Sequence, residues 1–337
     1  MIEKPTIALL LGDPSGIGPE LAAKLLAAED ACRQANIFLI ADRDEFLKGQ
    51  KIAGVEISFR EAESFESANF SGGLPVLYNY RSPVKGKFSD AKATAEGGRY
   101  SLETLGMALD LTMDGKTDAV CFAPLNKTAL HLGGMAESDE MSWGVKHIGY
   151  DGYFCELNVL KELWTARVTS HVALKEVSSL ITEERVIASV KLVYHSLRRA
   201  AVEKPRIGVA ALNPHGGDGG NFGREEIDVI APAVNRVRSM GIQVDGPFPA
   251  DTIFLKGLAG EYDAIVTMFH DQGQIAMKLT GFDRGVTVFG GVPIPITTPA
   301  HGTAFDIMGQ GKAKVSAMRH AFDLACRMGL QRRRESA

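Results

Sequence analysis

Three histidines stand where apolar runs give way to polar turns: His171 in TSHVALKEV, His215 in ALNPHGGDGGNFG and His270 in VTMFHDQGQ. In an open α/β sheet the carboxyl ends of the strands border one crevice, so residues placed there meet in space although they lie far apart in sequence. The spacing is too long for a zinc finger. It suits a catalytic metal site, in which three protein ligands leave one position open for water or substrate. Imidazole ligands favour zinc, cobalt, nickel or manganese over calcium. An acid and a base flank the third histidine, Asp251 in ADTIF and Lys278 in QIAMKLTGFDRG. Charge repulsion from a divalent cation brings a lysine toward the range needed for proton transfer. A surface salt bridge is the competing account of that pair.

Two further turns carry weaker chemistry. GDPSGIGPE (residues 12–20) follows the opening strand and precedes a helix, so N–H groups at the helix start could face an anion. Its glycines serve a plain strand-to-helix turn equally well. APLNK (residues 123–127) brings Asn126 and Lys127 toward the same crevice, or leaves Lys127 as a solvated turn residue. His131, His195 and His320 have no evident chemical partner and receive no role.

These residues need a sheet to position them. TIALLLGD, NIFLIAD, AVCFAPLN, RIGVAALNP, AIVTMFHD and GVTVFGG read as buried strands. GPELAAKLLAAEDACRQ, GGRYSLETLGMALDLTMDG, EERVIASVKLVYHSLRRAAV and REEIDVIAPAVNRVRSMG have helical apolar spacing. Strand and helix in alternation predict a parallel or mostly parallel sheet covered by helices. The length of 337 residues suits two domains, and no linker separates them. We therefore expect two α/β/α domains with a cleft between them. One is formed by residues 1–140 plus 300–337, and a central domain (141–299) carries the metal ligands and dimer contacts.

Composition excludes several classes. An apolar content of 45%, a charged content of 23% and a net charge of −4 are those of a globular protein without an electrostatic footprint for nucleic acid. The apolar IALLL run is too short for a membrane span. Cys32, Cys121, Cys155 and Cys326 form no CxxC pair, which points to free thiols in a reducing cytoplasm. A small-molecule partner is expected.

The string PAHGTAFDIMGQGKAKVSAM (residues 299–318) resembles the cofactor loop of the isocitrate and isopropylmalate dehydrogenases. The resemblance implies NAD held by His301, Gly302, Thr303, Asp306 and Ile307, with the Asp306 carboxylate on the adenosine ribose. A carboxylate there disfavours the 2′-phosphate of NADP. Beyond this string, GDPSGIGPE, PLNK, TSH, LNPHxGxGGxxGxEEID, PADT, YDAIVTMFHDQG, KxxGFxRGV and HGTAFDI occur in that order along the whole chain. The chain thus resembles the 4-hydroxythreonine-4-phosphate dehydrogenase (PdxA) family, whose fold is isocitrate dehydrogenase-like. The resemblance implies one divalent cation (Zn, Co, Mn, Ni or Mg) on His171, His215 and His270, the last supplied across a homodimer interface. It also places His147 and Lys278 on the substrate.

Three further positions that the resemblance places among the substrate contacts depart from the biosynthetic pattern: Ile148 replaces a threonine, Thr287 an asparagine and Ile296 an arginine. CELNVL, TSHVALKEV, GNFGREEID and VPIPITTPAHGTAFDI look instead like the branch acting on 4-phospho-D-threonate and 4-phospho-D-erythronate. That implies NAD-dependent oxidation of a C3 hydroxyl and decarboxylation to dihydroxyacetone phosphate, with Lys278 and Asp251 moving protons. The alternatives within the family are the pyridoxal phosphate pathway enzyme and a cis-dihydrodiol carboxylate dehydrogenase. From another class, the histidines could serve a metal-dependent hydrolase in which HGTAFDI is only a turn.

Overall fold

The computed structural model describes residues 4–28, 30–81, 88–281 and 284–336. Two residues of the KLTGFDRGV motif, 282 and 283, lie outside them. The chain divides into two compact units. Unit 1 comprises Met1–Asp151, Asp283–Thr287 and Val292–Ala337; unit 2 comprises Gly152–Phe282 and Val288–Gly291. Both chain ends therefore build unit 1, and the contact boundary falls at residue 151 where the sequence pattern had suggested 140.

Unit 1 opens with β1 (Thr6–Leu10), β2 (Asn36–Ala41), β3 (Arg60–Ala62), β4 (Val76–Asn79) and β5 (Ala119–Phe122). Unit 2 follows with β6 (Cys155–Leu160), β7 (Leu163–Arg167), β8 (Arg206–Ala210), β9 (Gln243–Phe248) and β10 (Ala264–Thr267). The strand β11 (Val286–Gly290) has residues in both units, and β12 (Ile296–Pro299) returns to unit 1.

In unit 1 the strands run β3-β4-β2-β1-β5-β12, every pair parallel. Their sequences are near-continuous apolar runs because both faces of a parallel sheet are covered. Ile7, Leu9, Phe38, Leu39, Val120 and Cys121 accordingly expose 1% or less. The first helical stretch does not run through to Gln34 as its spacing predicts. Backbone at Ala28 turns extended, and the stretch splits into Gly18–Ala27 and Ala31–Gln34.

In unit 2 the order is β6-β7-β10-β8-β9, with β7, β10, β8 and β9 parallel and β6 antiparallel to β7. The β6–β7 hairpin is not among the strands read from the sequence, which are near-continuous apolar runs; CELNVL and LWTAR instead alternate apolar and polar residues over most of their length. Its turn places Lys161 at a φ of 55°. Among the described residues no helix is long and apolar enough to cross a membrane. All four cysteines are free; Cys121 and Cys326 are buried, and burial pushes the Cys121 thiol up to about 12.

Candidate active site

The three central parallel strands of unit 2 each end in a histidine-bearing segment: β7 leads to His171, β10 to His270 and β8 to His215. They are neighbours in the sheet although out of sequence order. This is the carboxyl-edge placement that an open α/β sheet gives to ligand-binding residues. The His171 and His270 ring centroids lie 5.6 Å apart. His215 packs instead beside Phe222, at 6.2 Å between centroids. Among the described residues, no group of three or more His, Cys, Asp or Glu side chains stands close enough to hold a metal ion. One chain thus pairs two of the histidines and leaves the third apart.

The donor chemistry still fits a divalent cation. Asp271 lies 2.7 Å from Nδ1 of His270, an arrangement that fixes the ring and leaves Nε2 as the free donor. His171 and His215 adopt left-handed backbone, with φ of 50° and 53°. Such conformations cost of order 1–3 kcal/mol for a non-glycine residue and persist where the surroundings enforce them.

Polar side chains tie down the backbone next to the histidines. Glu226, 4% exposed, accepts from the Leu212 and Asn213 N–H groups at 2.8 and 2.7 Å and from Asn213 Nδ2 at 3.0 Å. It lies in a π-helical turn (Glu226–Ile230), a distortion often found at functional sites. Gln272 ties two strand ends together, accepting from Met268 N–H at 2.7 Å and donating to Ala211 carbonyl at 2.8 Å. Both residues lie in strings that carry the family resemblance, EEID and HDQG, but neither is given a role there.

The proposed proton carriers also belong to unit 2. Lys278 lies two turns beyond His270 on the helix His270–Gly281, and Asp251 lies in the first turn of Ala250–Leu258; both are exposed.

The remaining expected residues belong to unit 1. His147 ends the helix Glu140–His147, stacks on Trp143 at 5.0 Å and places Nε2 2.9 Å from the Asp110 carboxylate. Ile148 follows it, half-buried. Thr287 is half-buried in β11. Ile296 is 1% exposed and pairs with Val120 in the sheet, so it is a core residue with no surface to offer a substrate. That corrects its expected place among the substrate contacts.

The segment 301–307 forms a loop and a short 3₁₀ turn (Phe305–Ile307) in which Asp306 is exposed and Thr303 buried. Thr303 is held from two sides. Its carbonyl accepts from Ile17 N–H at 3.1 Å, and its hydroxyl accepts from Asn126 Nδ2 at 3.4 Å. Asn126 also caps the helix Lys127–Leu132 by accepting from Ala129 N–H at 2.9 Å, while Lys127 is exposed.

The GDPSGIGPE turn is buried throughout, so it presents no open anion cradle. A Cβ on Gly16 would meet Thr303 Cβ at 2.7 Å, and one on Gly18 would meet the Leu11 carbonyl at 1.9 Å. These glycines allow close backbone approach. Inside the turn, Asp13 is 1% exposed and one of its carboxylate oxygens has no hydrogen-bond partner. Burial pushes its carboxyl up to about 6, opposed by hydrogen bonds from Ser15.

Comparison with known proteins places these residues in context. The family model described as pyridoxal phosphate biosynthetic protein PdxA matches residues 33–325. A Pseudomonas aeruginosa protein named "Putative 4-hydroxythreonine-4-phosphate dehydrogenase 2" is 57% identical over 96% of this chain and 97% of its own length. The D-threonate 4-phosphate dehydrogenase of Salmonella typhimurium is 34% identical over 97% of this chain and 100% of its own. The crystal structure of 4-hydroxythreonine-4-phosphate dehydrogenase from Klebsiella pneumoniae superimposes with a TM-score of 0.84 at 32% identity, covering 97% of this chain and 98% of the other.

Proposed function

We propose, from the premise that the chain belongs to the family of pyridoxal phosphate biosynthetic protein PdxA and is a dehydrogenase acting on a CH–OH group, that its substrate is 4-phospho-D-threonate or 4-phospho-D-erythronate. Hydride abstraction from C3 is the chemistry that NAD would supply when bound, and it would leave a ketone two carbons from the carboxylate. Loss of CO2 then gives dihydroxyacetone phosphate. A divalent cation at His171, His215 and His270 supplies Lewis acidity to the substrate oxygens when bound.

The chain's own residues do the rest. His147, steadied by Asp110 and Trp143, orients the substrate. Lys278 and Asp251 move protons to and from its oxygens. The loop carrying His301, Gly302, Thr303, Asp306 and Ile307 holds the adenosine half of NAD, and its anchorage to Ile17 and Asn126 through Thr303 supports a preformed seat.

The choice of substrate rests on an arginine that this chain lacks. Where the resemblance implies an arginine in the biosynthetic enzyme, this chain buries a hydrocarbon in the sheet. An ammonium-bearing substrate also asks for acceptors near C2, and Ile148 beside His147 supplies no side-chain acceptor. Oxidation of 4-hydroxy-L-threonine 4-phosphate is the second reading, favoured by the names of the Pseudomonas and Klebsiella relatives.

A homodimer with a shared site completes the proposal. It is supported by the absence, among the described residues, of a three-ligand group within one chain and by exposed Leu174, Leu255, Ile275 and Leu279, at 71, 68, 60 and 84% exposure, all in unit 2. Free thiols are in keeping with a reducing cytoplasm.

The test is NADH formation on the three phosphates side by side, with and without chelator. kcat/KM is expected to be highest for one of the two hydroxy acids, and NAD to exceed NADP by about tenfold, the scale of one ~1.4 kcal/mol contact. Preference for the amino acid returns the chain to pyridoxal phosphate synthesis.

A further inference from the structure

The helix Gly18–Ala27 holds the 301–314 loop at two places, and both elements belong to unit 1. Ile17, just before the helix, donates its N–H to the Thr303 carbonyl at 3.1 Å. Further along the loop, the Ala313 N–H donates to Glu20 Oε1 at 2.9 Å. Lys24, one turn on from Glu20, donates from Nζ to that same oxygen at 2.7 Å, to the Gly311 carbonyl at 2.9 Å and to the Ala313 carbonyl at 2.8 Å. Within residues 301–314 only Thr303 and Ala313 are buried, and every residue between them, Asp306 included, is at least partly exposed. The loop is a span fixed at both ends with its middle open.

An ammonium has three N–H donors. The i,i+4 pair with Glu20 uses one of them, which is all that support of the helix itself requires. The other two go to loop carbonyls, while the carboxylate, 1% exposed, takes a loop N–H. That distribution is what a role confined to the helix leaves unexplained. The loop needs such a constraint because Gly309 and Gly311 adopt φ of 78° and 70°, and glycine backbone is not held in one conformation by its own sterics.

We infer that Glu20 and Lys24 are positioning residues for the cofactor loop, fixing its 311–313 end as Ile17 fixes its Thr303 end, so that the residues between keep one arrangement for the adenosine half of NAD. This rests on the proposed NAD seat. A loop already ordered binds without the cost of ordering it, so the pair acts on cofactor affinity and not on the chemical step.

NAD and ADP-ribose, which carries the adenosine half without the nicotinamide, are the probes, added to the full-length protein and followed by calorimetry. Lys24→Met, which keeps the stem and removes the three donors, should bind both about tenfold more weakly, the scale of an ordering cost no longer met in advance. KM for NAD should rise in step while kcat holds, and amide hydrogen exchange across residues 304–312 should quicken without cofactor. Lys24→Gln, with two amide donors for three acceptors, should lose several-fold in affinity and decides the matter if Lys24→Met fails to fold. Unchanged affinity for both ligands in the folded variants, with only Tm lowered, would leave the pair a stabilising contact and overturn the inference while the NAD seat stands. A loss for NAD that ADP-ribose does not share would put the effect at the nicotinamide end and overturn it as well. An unaltered protein that binds neither ligand removes the NAD seat itself, and the inference with it.

Discussion

Two glycine-rich turns follow buried strands in this chain, residues 12–20 after β1 and residues 213–223 after β8, and the same residue type serves opposite ends in them. In the first, glycine is required by what lies next to it. A Cβ at Gly12 would meet the Ala123 carbonyl at 2.2 Å, and Gly18 has the Leu11 carbonyl at 1.9 Å. In the second, the run from His215 to Gly220 has positive φ throughout, while Gly216 and Gly219 face open space. At those two positions glycine answers backbone conformation alone, whereas a Cβ on Gly217 or Gly223 would also meet the Glu226 or Asn213 side chain, and the loop stays exposed around His215. A packed turn anchors the 301–307 loop through Thr303; an open one displays a ligand. Glycine content does not tell the two apart, whereas the cause of each glycine does.

The comparison breaks most readily at the histidines. His171→Ala, His215→Ala or His270→Ala should lower turnover by about a thousandfold or more, some 4 kcal/mol of transition-state stabilisation. Thermal melting should barely move, since these side chains are at least partly exposed. A variant that melts early but keeps its turnover would place the histidine in the structural class with the first turn.

Gly18→Ala is expected to show the reverse pattern. With a backbone carbonyl in the way, the added methyl should destabilise by about 3 kcal/mol or prevent folding, since overpacking a close contact costs 1–3 kcal/mol or more. Chemical denaturation measures it, and an unchanged midpoint would contradict the close approach.

Asp13 sharpens the contrast through pH. Its carboxyl rises from the usual 3.8 to about 6, so the folded state holds the proton more tightly than the unfolded chain. The resulting penalty is absent below about pH 4, grows as pH rises through the interval to 6 and is complete above it. At 1.36 kcal/mol per unit it is on the order of 2–3 kcal/mol. Asp13→Asn should therefore gain stability over the native chain progressively between pH 4 and 7, read as a widening gap in Tm. A gap independent of pH would mean that the carboxyl does not titrate in that interval.

The smallest effect is expected at Gly216→Ala. A φ of 66° with nothing near the added methyl predicts only the left-handed penalty of about 1 kcal/mol. A loss comparable to that of Gly18→Ala would show that this loop is packed after all.

Much of this was legible beforehand. The strands TIALL, NIFLIA and AVCF stand out because a parallel strand buried on both faces is apolar at every position. The α/β class follows from their alternation with helices, and the three histidines mark themselves by recurring where strands end. The β6–β7 hairpin escaped a reading built on continuous apolar runs, since its strands alternate instead; what alternation could not show is that the polar Glu156, Asn158 and Arg167 turn to one another. Ile296 read as a substrate contact for the converse reason: alignment with a motif assigns a position, and only burial shows where the side chain points.

The sequence by itself therefore determined which chemical groups are present and that they sit at strand ends. It did not determine who neighbours whom. That β7, β10 and β8 lie side by side, bringing the three histidine-bearing segments to adjacent strand ends, comes from a strand order that departs from chain order. Strand order is set by which buried faces pack together across long separations, a property of the whole assembled sheet and of no local stretch of residues. The Arg167 network is decided at the same level, since a guanidinium is tolerable in the interior only once Glu156, Asn158 and Ser170 have been brought around it.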